Sequence, residues 1–161
     1  MTELTGAVVL HAGEGKTVHF GLITSTMKAG EDAAGGGYGF VEQSHGPKSG
    51  GPPLHTHPHN EAFYVLAGNM TFQAGNNIVE AAPGTFVMVP GGLPHTFSNR
   101  SDAEVKMLIL FAPAGFERYF EEIAQAVPPG QRPDPEIVRP IMARYGQEVV
   151  GPPIPLGGAD A

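Results

Sequence analysis

The sequence predicts an all-β fold, a small barrel or sandwich followed by a short helical extension. Three observations lead there. Short apolar runs such as "AFYVL", "TFVMV" and "VKMLILF" recur through the first two thirds of the chain. Turn-forming residues separate them, and 23 glycines and 16 prolines make up close to a quarter of the 161 residues. After Pro113 the apolar spacing changes from strand-like to helix-like. Many short strands joined by tight turns are the mark of a sandwich or barrel. The apolar runs are too hydrophobic to stay solvated, which argues against reading the glycine and proline content as disorder.

Taken in order, residues 17–26, "TVHFGLITST", read as a strand, and "MKAGEDAAGGGYG" as a flexible connection. "YGFVEQS" is β-like, and "SHGPKSGGPP" reads as a mobile loop. "LHTH" alternates, and "EAFYVLAGNMTFQAG" is a long β-rich stretch with a glycine in its middle. "NNIVEAAPG" turns, "TFVMVP" reads as a buried strand, and "HTFSN" and "EVKMLILFA" complete the barrel over residues 1–112. Phe116, Tyr119, Phe120 and Ile123 then stand at i, i+3, i+4 and i+7, one face of a helix. "PPGQRP" breaks it. Asp134 is a suitable N-cap with Pro135 at the first helical position, and Ile137, Ile141 and Tyr145, with Val138 and Met142 beside them, make a second helix that Gly146 closes. Residues 113–150 are thus a helical extension of the same domain, and 151–161 read as a loosely held tail.

Composition excludes several classes of function. The net charge is −7 with only nine Lys and Arg, so neither nucleic acid nor an anionic membrane is an expected partner. There is no cysteine, so disulfides and thiolate chemistry are out, which fits a cytoplasmic protein. No signal peptide or transmembrane segment is expected from "MTELTGAVVLHAGEGK" or beyond.

The chemistry concentrates in "PLHTHPHNE", which holds three of the seven histidines. On a strand, His55 and His57 share one face. Glu61 opens the next strand after a turn and can bring a carboxylate to the same ion, leaving positions open for water or substrate. Taken alone, the cluster also fits a satisfied pair or a surface loop. His95, at the start of another strand after "GTFVMVPGGLP", favours the metal reading. His59 is the histidine left over. Pro58 interrupts the strand, so His59 is expected in a loop near the barrel mouth or in solvent, not on the ion. If Glu61 faces the interior, alternation puts Phe63 and Val65 there too. Phe97 joins from the next strand and Met88 is a further candidate, for a pocket that suits a flat aromatic or apolar small molecule.

With these residues the sequence resembles the cupin superfamily. The first cupin motif is matched by His55, His57, Glu61 and Gly68, and the second by Gly84, Pro90, Gly92, His95 and Asn99, with every spacing kept. One position departs: Ser49 stands where the first motif usually opens with glycine. The resemblance covers roughly residues 17–112. It implies a barrel of two antiparallel sheets in which His55, His57, Glu61 and His95 meet on one divalent transition metal, be it Fe, Mn, Ni, Co, Cu or Zn. Cupins often dimerise through a sheet face, and Tyr64 and Leu66 would point outward to serve a homodimer. The helical extension looks like that of bacterial cupins related to quercetin 2,3-dioxygenase, and would either cover a sheet or an edge strand or lie as a lid over the barrel mouth. That resemblance implies a metal-dependent dioxygenase cleaving a flavonol-like or other phenolic substrate, with Glu61 as the catalytic base. A metal-dependent binding or sensing cupin, or a cupin isomerase or decarboxylase, are the alternatives.

Overall fold

A computed structural model of the chain describes residues 2–4, 6–33 and 35–157. The strands are β1 (Thr2–Leu4), β2 (Ala7–Val9), β3 (Lys16–Phe20), β4 (Ile23–Ala29), β5 (Gly39–His45), β6 (His55–Thr56), β7 (Asn60–Ala67), β8 (Met70–Ala74), β9 (Asn77–Ala81), β10 (Phe86–Val89), β11 (His95–Ser98) and β12 (Val105–Ala112). Helices α1 (Glu117–Ala126) and α2 (Pro135–Arg144) follow, then a last short strand, β13 (Glu148–Val149). Two antiparallel sheets face each other. One has the order β10-β7-β12-β5-β4-β3, the other β13-β6-β11-β8-β9. A separate hairpin pairs β1 with β2.

Alternation explains which side chains fill the space between the sheets. On β7, Glu61, Phe63 and Val65 are buried while Tyr64 and Leu66 are exposed. On β12, Val105, Met107, Ile109 and Phe111 point in, and on β5 Gly39, Val41, Gln43 and His45 do so. The rings of Phe63, Phe72 and Phe97 meet with centroids 5.0–5.7 Å apart and tilted faces, and form the middle of the core.

The stretch 17–26 is two strands, not one. Gly21 takes φ +54, a conformation that favours glycine, and reverses the chain between β3 and β4. The turn is then pinned by the loop after α1, because Gly130 N donates to Gly21 O at 2.7 Å.

Ten residues make a marginal helix in isolation, so packing decides whether α1 forms. Phe116, Tyr119, Phe120 and Ile123 are all buried, at roughly 1.5–3 kcal/mol for each large apolar side chain. Phe120 stacks against Phe20 of β3 at 6.3 Å. On α2, the Asp134 carboxylate accepts from Glu136 N at 2.9 Å, and Gly146 takes φ +73 just past the helix end. The buried face of α2 is Val138, Ile141 and Met142, while Ile137 is 49% exposed. The buried face is thus turned toward Val138 and Met142, keeps Ile141, and leaves Ile137 outside. Residues 151–157 are also held more firmly than a loose tail. Leu54 N donates to Pro152 O, Val150 N and Gly151 N donate to Leu54 O, and Ile154 is buried.

Candidate metal centre

His55 and His95 face each other across the β6–β11 pair, in direct register. His57 follows β6 by one residue. Glu61 enters from the opposite sheet, on β7. Both sheets therefore contribute to one point between them. The ring centroids of His55 and His57 lie 4.4 and 4.6 Å from that of His95. All four residues are between 2% and 4% exposed.

Their hydrogen bonds settle the tautomers. Each imidazole places Nδ1 against a backbone carbonyl: His55 on Pro53 O at 2.8 Å, His57 on His59 O at 2.9 Å and His95 on Leu93 O at 2.9 Å. A carbonyl can only accept, so Nδ1 carries the hydrogen and the neutral ring presents a bare lone pair at Nε2. These lone pairs converge. His57 Nε2 is 2.9 Å from Glu61 Oε2 and 3.1 Å from His95 Nε2, and His95 Nε2 is 3.1 Å from the same oxygen. Acceptors so close repel unless a positive charge lies among them. Donor atoms about 2.1 Å from one ion and at right angles to each other are about 3.0 Å apart. The spacing fits a transition metal, and the donor set of imidazoles and carboxylate suits one.

The electrostatics agree. Burial pushes the Glu61 carboxyl up, but when a proton rather than an ion lies between it and the facing nitrogens of His57 and His95, their hydrogen bonds and charge outweigh burial and bring its pKa to about 2. Burial, then the charge of His95, lowers His55 to about 4, so it stays a neutral donor at neutral pH.

Two glycines let the ligand-bearing loops approach. A side chain at Gly91 would meet Pro58 O at 2.1 Å, and one at Gly51 would meet Phe97 O at 1.6 Å. Gly92 N donates to His57 O and Gly91 N to the Asn60 side chain, so the loop before His95 is tied to the loop holding His57. Ser49 is buried in place of the expected glycine, and its carbonyl accepts from Asn99 N at 2.9 Å. The Asn99 amide in turn donates to the carbonyls of His45, Gly46 and Ala103.

Two expectations need correction. His59 lies in the loop between β6 and β7, as expected, but not in solvent: it is 8% exposed, and its ring stacks on His57 at 3.6 Å, parallel within 2°. The strand ends at Thr56, and Pro58 does not turn the chain out of the barrel. His57, His59 and Glu61 bring ligand atoms within 4.8 Å of one another. Yet a ring nitrogen's lone pair lies in the ring plane, so two stacked rings cannot both aim at one ion. Met88 does not face the interior. It pairs with Ala62 on the outward face of β7 and is 50% exposed, beside exposed Phe86, Tyr64 and Leu66. Phe63, Val65 and Phe97 are interior, packed in the core beneath the ligands.

The side chains above the ligands come from elements the motifs do not cover. Phe116, just before α1, lies 4.5 Å from the His59 ring and 6.0 Å from the His57 ring. Phe111 of β12 completes the aromatic wall at 5.5 Å from Phe116. Tyr119 stacks on Phe116, and Gln147, between α2 and β13, is buried. Helical periodicity marks Phe116 and Tyr119 as core, but no sequence signal ties them or Gln147 to the histidines.

Two facing antiparallel sheets around a three-histidine, one-carboxylate centre define the class: a small β-barrel protein with an interior donor set that could hold an ion. Residues 42–111 match the cupin domain family, and the chain belongs to the cupin superfamily. Quercetin 2,3-dioxygenase of Bacillus subtilis (strain 168) is 34% identical over 128 residues, which are 76% of this chain but 37% of that protein. Among solved structures, a predicted oxalate decarboxylase from Thermotoga maritima superposes with TM-score 0.61 at 17% identity, over 66% of this chain and 99% of that one. A cupin sugar phosphate isomerase from Silicibacter pomeroyi gives 0.57 at 20%, over 65% and 75%. No described helix is long and apolar enough to cross a membrane.

Proposed function

We propose that this chain is a metal-dependent cupin oxygenase that takes an uncharged phenolic aromatic substrate, as the similarity to a quercetin 2,3-dioxygenase suggests. One observation carries the choice of substrate class. Among the described residues no Lys or Arg is buried, while Phe111, Phe116 and Tyr119 are. The ion could meet one anionic oxygen, but a phosphate or a second carboxylate, of the kind the names of the decarboxylase and isomerase neighbours imply, would want a cationic side chain beside it as well, since a buried unpaired anion is costly. An aromatic wall serves a flat phenol better.

In this reading His55, His57, His95 and Glu61 hold the ion, which when bound supplies a Lewis acid and a position for oxygen chemistry. Glu61 takes the proton of the substrate hydroxyl as it binds, because it is the one anionic group in the centre. The backbone carbonyls of residues 53, 59 and 93 keep the three rings oriented. Phe116 and the helical extension keep water away from the ring that is being opened.

Metal-loaded protein incubated with quercetin, with and without air, tests this. Oxygen uptake together with loss of the flavonol absorbance is expected. Glu61→Gln should lower turnover by about 10²-fold or more while retaining most of the metal. Absence of oxygen uptake with quercetin and with simpler catechols would remove the reading, and tight binding without turnover would point to a sensor.

A further inference from the structure

The C-terminal segment does more than cover the barrel. β13 pairs antiparallel with β6, Glu148 opposite Thr56 and Val149 opposite His55. Continuing that register sets Gln147 opposite His57, and residues directly opposite each other project from the same face of a sheet. Gln147 therefore enters the interior on the side of the ligands, and it is 5% exposed. Met142 O accepts from its backbone N at 3.0 Å and holds it there.

Two buried nitrogens around this point lack partners among the described residues: Gln147 Nε2 and His59 Nε2. Folded proteins pair nearly all such groups, so two orphans beside the Phe116–Tyr119 stack, His59 next to Phe116 and Gln147 next to Tyr119, call for an explanation. Tyr119 is the third polar group. Burial holds its hydroxyl above the ordinary tyrosine range, the Gln147 amide beside it pulls the other way, and Glu61 is close enough to act on it through its charge. The ring of Tyr119 stacks on Phe116 at 5.0 Å, and Phe116 in turn packs on His59 at 4.5 Å. The three groups thus border one aromatic cluster beside the metal centre.

We propose that Gln147, Tyr119 and His59 form a subsite for an uncharged oxygen of an aromatic ligand, a ring hydroxyl or carbonyl held away from the ion. The subsite rests on the ligand class argued above, an uncharged phenol, and not on the oxygenase reaction. Its groups fit that chemistry. The Gln147 amide and the Tyr119 hydroxyl are donors, and an imidazole nitrogen takes either role. Neither Lys nor Arg stands among them, and the Glu61 carboxylate nearby disfavours a second anion. The ligand's bound oxygen would use the hydrogen bonds that the two nitrogens lack in the closed molecule. The helical extension then serves as the recognition element for the ring's second polar group.

Zinc-loaded, ¹⁵N-labelled protein titrated with hydroquinone, a phenol whose second hydroxyl is free to reach the subsite when the first meets the ion, tests this without any turnover. The side-chain amide signals of Gln147 should shift saturably, and those of exposed Gln131 should not. Gln147→Leu should weaken hydroquinone binding about tenfold, keep its zinc, and melt no lower than the wild type, because it removes an unpaired buried group. Tyr119→Phe should weaken binding with zinc content unchanged. A motionless Gln147 amide at high hydroquinone, or equal hydroquinone affinity in wild type and Gln147→Leu, would overturn the subsite. The orphan nitrogens would then be a packing feature of the helices. Hydroquinone shifts at Gln147 without quercetin consumption would leave the subsite standing and remove the flavonol reaction.

Discussion

At the scale of single side chains, His45 shows what the barrel interior costs. It sits at the far end of β5 from Gly39, the residue aligned through Phe111 with Glu61, and so lies well away from the metal centre. Its Nε2 donates to Gln43 Oε1 at 3.0 Å, and Gln43 Nε2 donates to Ser25 Oγ at 2.6 Å. Its Nδ1 is buried without a partner, and the ring meets Phe97 edge-on at 5.7 Å. Burial lowers its pKa from 6.5 to about 3. The unfolded chain then binds a proton that the folded chain refuses, so stability is full above pH 6.5 and falls as the pH drops toward 3. The loss is at most roughly 5 kcal/mol. In metal-loaded protein, His45→Gln should flatten the acid side of the curve of melting temperature against pH. Identical curves for the two proteins would show that His45 does not set acid stability. The same scale shows what could be read in advance. His55, His57, Glu61 and His95 were legible because two-residue alternation and motif spacing constrain them independently. Met88 was not, because "TFVMV" is apolar at every position and carries no phase; only pairing with Ala62 reveals which way it points.

At the scale of elements, the centre depends on two loops held in contact. Gly91 lies where the loop before His95 crosses the loop after His57, and a methyl group there would press on Pro58 O at 2.1 Å. Gly91→Ala should therefore cost about 1–3 kcal/mol and reduce metal retention, because one ligand loop must move. Gly84→Ala is the control. Gly84 has φ +89 but open space around it, so the change brings strain of about 1–2 kcal/mol without touching the ligands. Melting temperature and metal content read side by side separate the two, and full metal retention in Gly91→Ala would refute the loop argument. Elements were legible where a local pattern is enough, as in α1 and in the Asp134 cap of α2. The pinning of the Gly21 turn and the pairing of β13 with β6 were not, since both depend on partners about a hundred residues away in the chain.

For the whole molecule, the decisive arrangement is two sheets that each bring part of one centre, with a helical pair lashed across it. Arg144 of α2 pairs with Glu122 of α1, and Lys16 of β3 pairs with Glu121 at 2.7 Å. These ion pairs are exposed and weak, whereas Phe116, Phe120 and Ile123 supply the buried apolar contact that seats the extension. The two cupin motifs made the barrel legible. They are silent on the extension, where residues meet by tertiary packing alone.

The pairing of β13 with β6 also has a meaning in time. The four donors, residues 55 to 95, leave the ribosome well before residues 148–149 exist to close over them. Ions reach the donors freely in the open chain and only through a buried interior in the closed one. If these donors hold a metal, its choice would be made during folding, and the finished protein would keep it. Protein refolded from denaturant with cobalt should fill with cobalt within the time of folding, while native protein already carrying zinc should exchange far more slowly in the same solution. Equal rates of uptake and exchange would mean that the strap opens too often to keep a record.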